Sequence, residues 1–223
     1  MPRSGSASDP TRPDSDPDPG KVLMDALDAI MTTRAIRRFT TVPVSDEDIW
    51  TCLRAAQQAP SGGNRQVTRY LVVTDPDLRR EIGEYYRKSY DTYTGSRVDT
   101  STDATWTRIK ASARHLADHL ADVPVLVFFL MPADRPGNAV DIGPLTASVY
   151  PAVQNFCLAA RTLGLGTTLT TVIRAHHAEV LELLGVPDGY EVAAMVPLGH
   201  PTGSFGVAKR RDVADVTRWN QWS

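Results

Sequence analysis

Val125-Leu126-Val127-Phe128-Phe129-Leu130 is an unbroken apolar run. A strand with one face in water alternates apolar and polar residues, whereas an unbroken apolar run suits a strand covered on both faces. The run therefore predicts a central strand with layers packed above and below it.

On its C-terminal side, Leu145, Val149, Val153, Phe156, Ala160 and Leu163 recur at helical spacing, and Gly164 suits the left-handed position after a helix end. Pro151 falls inside this stripe and predicts a bend. Gly166-Thr167-Thr168-Leu169-Thr170-Thr171 then reads as an extended tract, followed by a helix ending at Gly185 and a strand from Glu191 to Leu198. On the N-terminal side, a helix is expected from about Trp106 to Leu120. Periodicity is lost from Ser89 to Ser101, which marks residues 85–120 as a lid or insertion. Asp75-Pro76 opens a helix through Leu78, Ile82 and Tyr86, and Tyr70-Leu71-Val72-Val73 reads as a strand. Ser45 with Asp48 forms a capping box for a helix carrying Ile49, Leu53 and Ala56, which stops at Pro60. The first apolar-periodic segment comprises Val22, Leu23, Ala26, Leu27, Ile30 and Met31. Helices thus alternate with three or four strands. Residues 1–20, rich in Pro, Asp and Ser, bury too little surface to offset their ordering entropy and are expected to be a disordered tail, leaving 21–223 as a single domain.

A chain of 223 residues with 42% apolar content can build a substantial core by itself. A net charge of −2 supplies no field for a nucleic-acid backbone or an anionic membrane. Cys52 and Cys157 are the only cysteines, lack metal spacing, and read as small buried hydrophobes in a reducing compartment. The longest apolar run is far shorter than the roughly 20 residues of a membrane helix, and the N-terminus has no apolar signal core. The expectation is a soluble, cytoplasmic protein.

Two motifs suggest a ligand. Arg34-Ala35-Ile36-Arg37-Arg38-Phe39 places three arginines where they could clamp a phosphate or another delocalised anion, and Pro60-Ser61-Gly62-Gly63-Asn64-Arg65-Gln66 supplies amides and hydroxyls on a turn-prone loop. Other motifs fail on inspection. Gly164-Leu165-Gly166 follows a helix and has Leu169 where a dinucleotide fingerprint needs its third glycine. His115 and His119 flank Leu116 where a zinc protease needs glutamate, and His176, His177 and His200 have no evident partners, so no metal site is expected. No Gly-x-Ser-x-Gly elbow or Cys/His nucleophilic pair is present. The lack of an obvious side-chain catalyst suits flavin chemistry, in which the cofactor makes and breaks the bonds and the protein binds, orients and tunes it.

In order along residues 24–222, the chain has the RxIRRF block, the PSGGNRQ loop, the central apolar strand, the helix ending Leu163-Gly164-Leu165-Gly166 and the threonine tract. It closes on Gly199-His200-Pro201, Lys209-Arg210-Arg211 and Trp219-Asn220-Gln221-Trp222. This ordered set resembles the FMN-dependent nitroreductase family. The resemblance implies an α+β fold, with a central, mostly antiparallel sheet flanked by helices, in an interlocked homodimer with FMN at the subunit interface. It implies that Arg34 and Arg210, with Lys209 beside them, hold the FMN phosphate. Arg37 would lie near the ribityl chain and the pyrimidine N1/O2 edge, and Ala35 and Arg38 complete the block. Ser61, Asn64 and Gln66 match the loop that contacts the flavin, a loop the partner subunit can supply. Leu169, Thr170 and Thr171 match the segment whose backbone amide reaches flavin N5. No side chain is then a catalyst by itself. The implied activity is a ping-pong reduction of nitroaromatic or quinone-like acceptors by NAD(P)H. The alternatives are reductive dehalogenation, oxygen-dependent flavin breakdown, or flavin storage without turnover. Tyr85, Tyr86, Tyr90, Tyr93 and Trp106 are the aromatic candidates for the acceptor pocket. Two departures stand out: Ala35 replaces a frequent serine, and Val67-Thr68 replaces a frequent Pro-Trp.

Overall fold

The computed structural model describes residues 24–96, 103–133 and 144–222. The expected N-terminal tail, the start of the first apolar segment at Val22 and Leu23, and residues 97–102 of the expected lid lie outside them. Four strands form one sheet: β1 (Arg69–Val73), β2 (Val125–Pro132), β3 (Gly166–Thr167) and β4 (Tyr190–Gly199). Their order is β1-β2-β4-β3, and every pairing is antiparallel.

The apolar run is central, as expected. Val125, Val127, Phe129 and Met131 pack on one side of β2, and Leu126, Phe128 and Leu130 on the other. The first side is covered by α2 (Asp46–Gln57) and α5 (Thr146–Thr162), through Cys52, Leu53, Ala56, Val153, Phe156 and Ala160. The second is covered by α3 (Pro76–Gly95), α4 (Ala104–His119) and α6 (His177–Leu183), through Ile82, Tyr86, Leu116 and Val180. The register between β2 and β4 slips between Phe129, opposite Ala194, and Leu130, opposite Val192. Ala193 is the extra residue of this bulge, which is why Ala193 and Ala194 both enter the α2/α5 core.

Local signals set the helix ends. The Ser45 hydroxyl accepts the Asp48 N–H at 3.1 Å and donates to the Asp48 carboxylate at 2.8 Å. The Asp75 carboxylate accepts from the N–H groups of Asp77 and Leu78, both at 2.9 Å, with Pro76 in the first turn. At the end of α5, Gly164 takes φ 75°, its N–H donates to Arg161 C=O, and the Leu165 N–H donates to Ala160 C=O at 2.8 Å. These two bonds form the glycine helix stop read from the sequence. The helix continues through Pro151.

The aperiodic reading that begins at Ser89 needs correcting over residues 89–95, because α3 extends to Gly95, and α4 begins at Ala104, slightly before the expected start near Trp106. The threonine hydroxyls that obscure the pattern face outward and bond back to their own helix, Thr92 to Lys88 C=O and Thr94 to Tyr90 C=O. Ser89, fully buried, meets His176 Nδ1 at 2.8 Å. The first helix also differs from a simple amphipathic reading. In α1 (Ala26–Thr32) the buried residue is Ala29, while Leu27 (70%), Ile30 (51%) and Met31 (58%) are exposed. Beyond β4 the chain runs outward as an arm whose residues 209–222 are all exposed.

Candidate functional site

The arginine block is an extended segment laced onto one end of the sheet. The Ile36 N–H donates to Thr167 C=O and the Thr40 N–H to His200 C=O, both at 2.8 Å; Thr202 N–H donates to Arg38 C=O at 3.2 Å. Ala35 bridges Thr167, and Phe39 bridges Pro201. Gly166 allows this approach, since a Cβ there would stand 2.8 Å from Ile36 Cγ2 and 3.0 Å from Ile36 Cβ.

Arg34 and Arg38 are exposed and Arg37 is half-buried. Burial pulls the Arg37 guanidinium below its ordinary pKa, with Tyr86 and Tyr90 opposing the shift. The Tyr86 hydroxyl lies 2.9 Å from Thr170 Oγ1, and burial raises its pKa, so it remains a neutral phenol near neutrality. Thr170 is held from both sides: its N–H donates to Met195 C=O and its C=O accepts the Met195 N–H, each at 2.9 Å. Its amide is therefore committed to the sheet. The flanking Leu169, 44% exposed, and Thr171 are the members of that trio that face solvent. Block and tract thus come together at one end of the sheet. They surround a half-buried cation that, among the described residues, has two phenols beside it and no carboxylate. That donor set fits an anionic, electron-rich ring system such as a flavin with its phosphate.

The aromatic candidates are not equivalent. Tyr86 and Tyr90 are buried, and the Tyr90 hydroxyl donates to Lys110 C=O on α4. Tyr85 is half-buried and lies 6.0 Å, ring to ring, from His176. Tyr93 is exposed and Trp106 half-buried.

The polar loop lies elsewhere. Its shape is built internally: Ser61 Oγ accepts the Gln66 N–H at 2.9 Å, the Gln66 amide donates to Asn64 Oδ1, and Gly63, Asn64 and Gln66 all take left-handed φ values of 59°, 53° and 49°. Its outward contacts are Gly62 N–H to Ser148 Oγ at 3.2 Å and Gln57 to Gln66 at 3.0 Å. The loop leads into β1 at the Leu130 end of β2, whereas β3 meets β4 at Leu198, which pairs with Val125 at the other end of β2. Loop and arginine block therefore occupy diagonal corners of the sheet. Three strand spacings across and five residues along put them roughly 20 Å apart. The length of α5 gives the same separation: Gly62 touches Ser148 near its start, the threonine tract follows its end, and the intervening turns span about 21 Å. Lys209 and Arg210 lie on the exposed arm. The arm is anchored where it leaves the body, by the Arg161 guanidinium over the Phe205 ring at 4.0 Å, with Arg161 also donating to Thr32.

Sequence reasoning set aside His115, which stands against Arg38: a guanidinium nitrogen lies 3.0 Å from its Nδ1 and 3.3 Å from its Nε2. The only sequence signal was the four-residue spacing to His119, whose ring is 4.4 Å from that of His115. Among the described residues, no group of His, Cys, Asp and Glu could hold a metal ion, and no helix is long and apolar enough to cross a membrane.

The profile of the Nitroreductase family matches residues 30–200. The chain is 30% identical over 205 residues to the NADPH-flavin oxidoreductase of Vibrio harveyi, covering 90% of this chain and 75% of that protein. It is 26% identical over 191 residues to the iodotyrosine deiodinase of Thermotoga neapolitana, covering 84% and 93%. Among solved structures, oxidised iodotyrosine deiodinase bound to FMN and 3-iodo-L-tyrosine superposes with a TM-score of 0.73 at 25% identity, over 89% of this chain and all of that one.

Proposed function

The chain belongs to the nitroreductase family, and from that premise we propose that it is an FMN-dependent oxidoreductase using NAD(P)H to reduce nitroaromatic or quinone-like acceptors. The observation that carries the reading is the half-buried Arg37, set among Tyr86, Tyr90 and the threonine tract without a carboxylate. FMN held there would supply the two-electron chemistry that couples NAD(P)H oxidation to reduction of the acceptor in a ping-pong cycle.

The residues of this chain do the rest. Arg34 and Arg37 supply localised positive charge for the phosphate and the polar ring edge, and β3 and β4 hold their backbone rigid. Thr170, locked to Met195, positions Leu169 and Thr171 against the ring. Within the segment 85–120, the C-terminal half of α3 and the whole of α4 would cover the acceptor side as a lid of the single domain 21–223. The diagonal separation of loop and arginine block favours a homodimer in which Ser61, Asn64 and Gln66 of one copy complete the site of the other. The exposed Leu27, Ile30 and Met31, and Trp219 and Trp222 on the arm (85% and 86% exposed), favour the same assembly. Lys209 and Arg210 would reach the phosphate through it. A cytoplasmic location agrees with the free Cys52 and Cys157.

The test is direct. Purified protein should carry flavin absorbance that NAD(P)H bleaches without air and an acceptor restores; a colourless protein that gains none with FMN rejects the reading. Arg37→Ala is expected to lower the potential of the bound flavin more than it weakens FMN binding, because a removed cation destabilises the anionic reduced ring. Redox titration beside the parent checks this, and an unchanged potential removes Arg37 from that role. Sedimentation should give a dimer, and a flavin-loaded monomer would contradict the shared site. The similarity to iodotyrosine deiodinases supports a second reading, reductive dehalogenation, in which a halogenated phenol rather than a nitroaromatic restores the bleached flavin.

A further inference from the structure

Arg38 and His115 are a pair of basic groups in direct contact, and the proposed function uses neither side chain fully. One guanidinium nitrogen lies 3.0 Å from Nδ1 and 3.3 Å from Nε2, which puts it over the ring face, a contact that suits a cation against a neutral imidazole. A doubly protonated ring has no acceptor left and turns the contact into one between like charges. Desolvation and Arg38 accordingly push the His115 pKa down, assisted by His119; Asp118 and Asp122 oppose them. Those acids are committed elsewhere, Asp118 to Arg114 at 2.7 Å and Asp122 to His119 at 3.1 Å. Arg114 is also taken by Asp91. Among the described residues, then, two basic groups on the surface face each other without an acid between them. An outside anion would let both donate at once and would offset their like charges.

We infer that Arg38 and His115 form a binding site for a phosphomonoester dianion at the rim of the proposed flavin site, with the 2′-phosphate of NADPH or the phosphate of FMN as its source. The position follows from the helix pair that both arginines meet: Arg37 lies beside Tyr86 and Tyr90 on α3, Arg38 meets His115 on α4, and the Tyr90 hydroxyl reaches Lys110 C=O on α4. A phosphate held here therefore lies beside the group proposed to tune the flavin. When the dianion enters, His115 takes up a proton and donates to it beside Arg38. Binding therefore weakens as pH rises through the range in which His115 can no longer be charged. The inference rests on the flavin reading, because it uses the arginine block as the wall of that site.

The experiment uses the full-length holoprotein, with titration calorimetry of 2′,5′-ADP and 5′-AMP, which differ by the 2′-phosphate. The parent is expected to prefer 2′,5′-ADP by at least about tenfold, the size of one charge-assisted contact. Arg38→Gln should remove the preference. His115→Gln should reduce it and abolish its decline between about pH 6.5 and 8.5, where the phosphate itself is largely dianionic. In parallel, flavin-depleted protein is titrated with FMN and with riboflavin. An Arg38→Gln protein that loses the FMN-over-riboflavin preference but leaves the nucleotide ratio intact assigns the site to the phosphate of FMN, and the converse assigns it to NADPH. A protein that binds no FMN rejects the flavin reading and this inference with it. A flavin-loaded Arg38→Gln protein in which neither preference changes rejects the inference alone.

Discussion

Phe129→Ala is expected to lower the stability of the folded chain by about 3–5 kcal/mol, the range for truncating a buried phenylalanine. Phe129 is fully buried at the centre of β2, edge-on to Tyr70 at 5.4 Å and to Phe156 at 5.6 Å. The ring thus joins β1, β2 and α5 at the bulge where Ala193 and Ala194 both turn inward. Those alanines are too short to refill the void, so the cavity should persist. For a domain of this size the loss corresponds to a melting temperature lower by about 6–20 °C. Thermal and denaturant unfolding beside the parent measure it. A loss below about 1 kcal/mol would mean that the site collapses, and that this ring does not anchor the sheet.

Gly166→Val should produce the second large effect, and it should reach the ligand site as well as the fold. Even a single Cβ at this position meets Ile36 closer than real Cβ atoms approach, and valine adds two more methyl groups against a β-branched neighbour with little rotamer freedom. Relief requires the arginine block to lift off β3, breaking the Ile36 N–H bond to Thr167. The expected cost is about 1–3 kcal/mol of stability, together with a loss of FMN affinity larger than that caused by an alanine at exposed Arg34. Flavin retention after gel filtration, set beside the unfolding curve, separates the two effects. A variant that keeps full flavin occupancy would show that the block need not touch β3 to bind.

The elements that were legible in the sequence are those whose cause is local. Asp75-Pro76 and Gly164 each state a hydrogen-bonding arrangement completed within a few residues, and the structure has each of them. The Val125–Leu130 run declared its own burial, because a strand that avoids every polar residue must be covered on both sides. Where the reading failed, the surroundings had settled the matter. Ser89 and the threonines after it resemble a loop by composition. They are helical because Tyr86 and Tyr90 on the same helix are buried in the core, and because the hydroxyls are satisfied by helix carbonyls or by His176.

The candidate site divides along the same line. Residue type alone offered the arginine block as an anion clamp or a solvated basic helix end, and the Ser-Gly-Gly-Asn loop as a polar, turn-prone segment. It could not say that they lie at diagonal corners of the sheet, that the Thr170 amide is spent on Met195, or that Arg38 faces a histidine 77 positions away. Chemical identity and short-range geometry are properties of a few consecutive residues, so they can be read from the order of the chain. Distance between motifs, and the choice of which polar group is already paired, depend on strand order and helix length. Those are decided only when the hydrophobic faces of β2 and β4 find their cover.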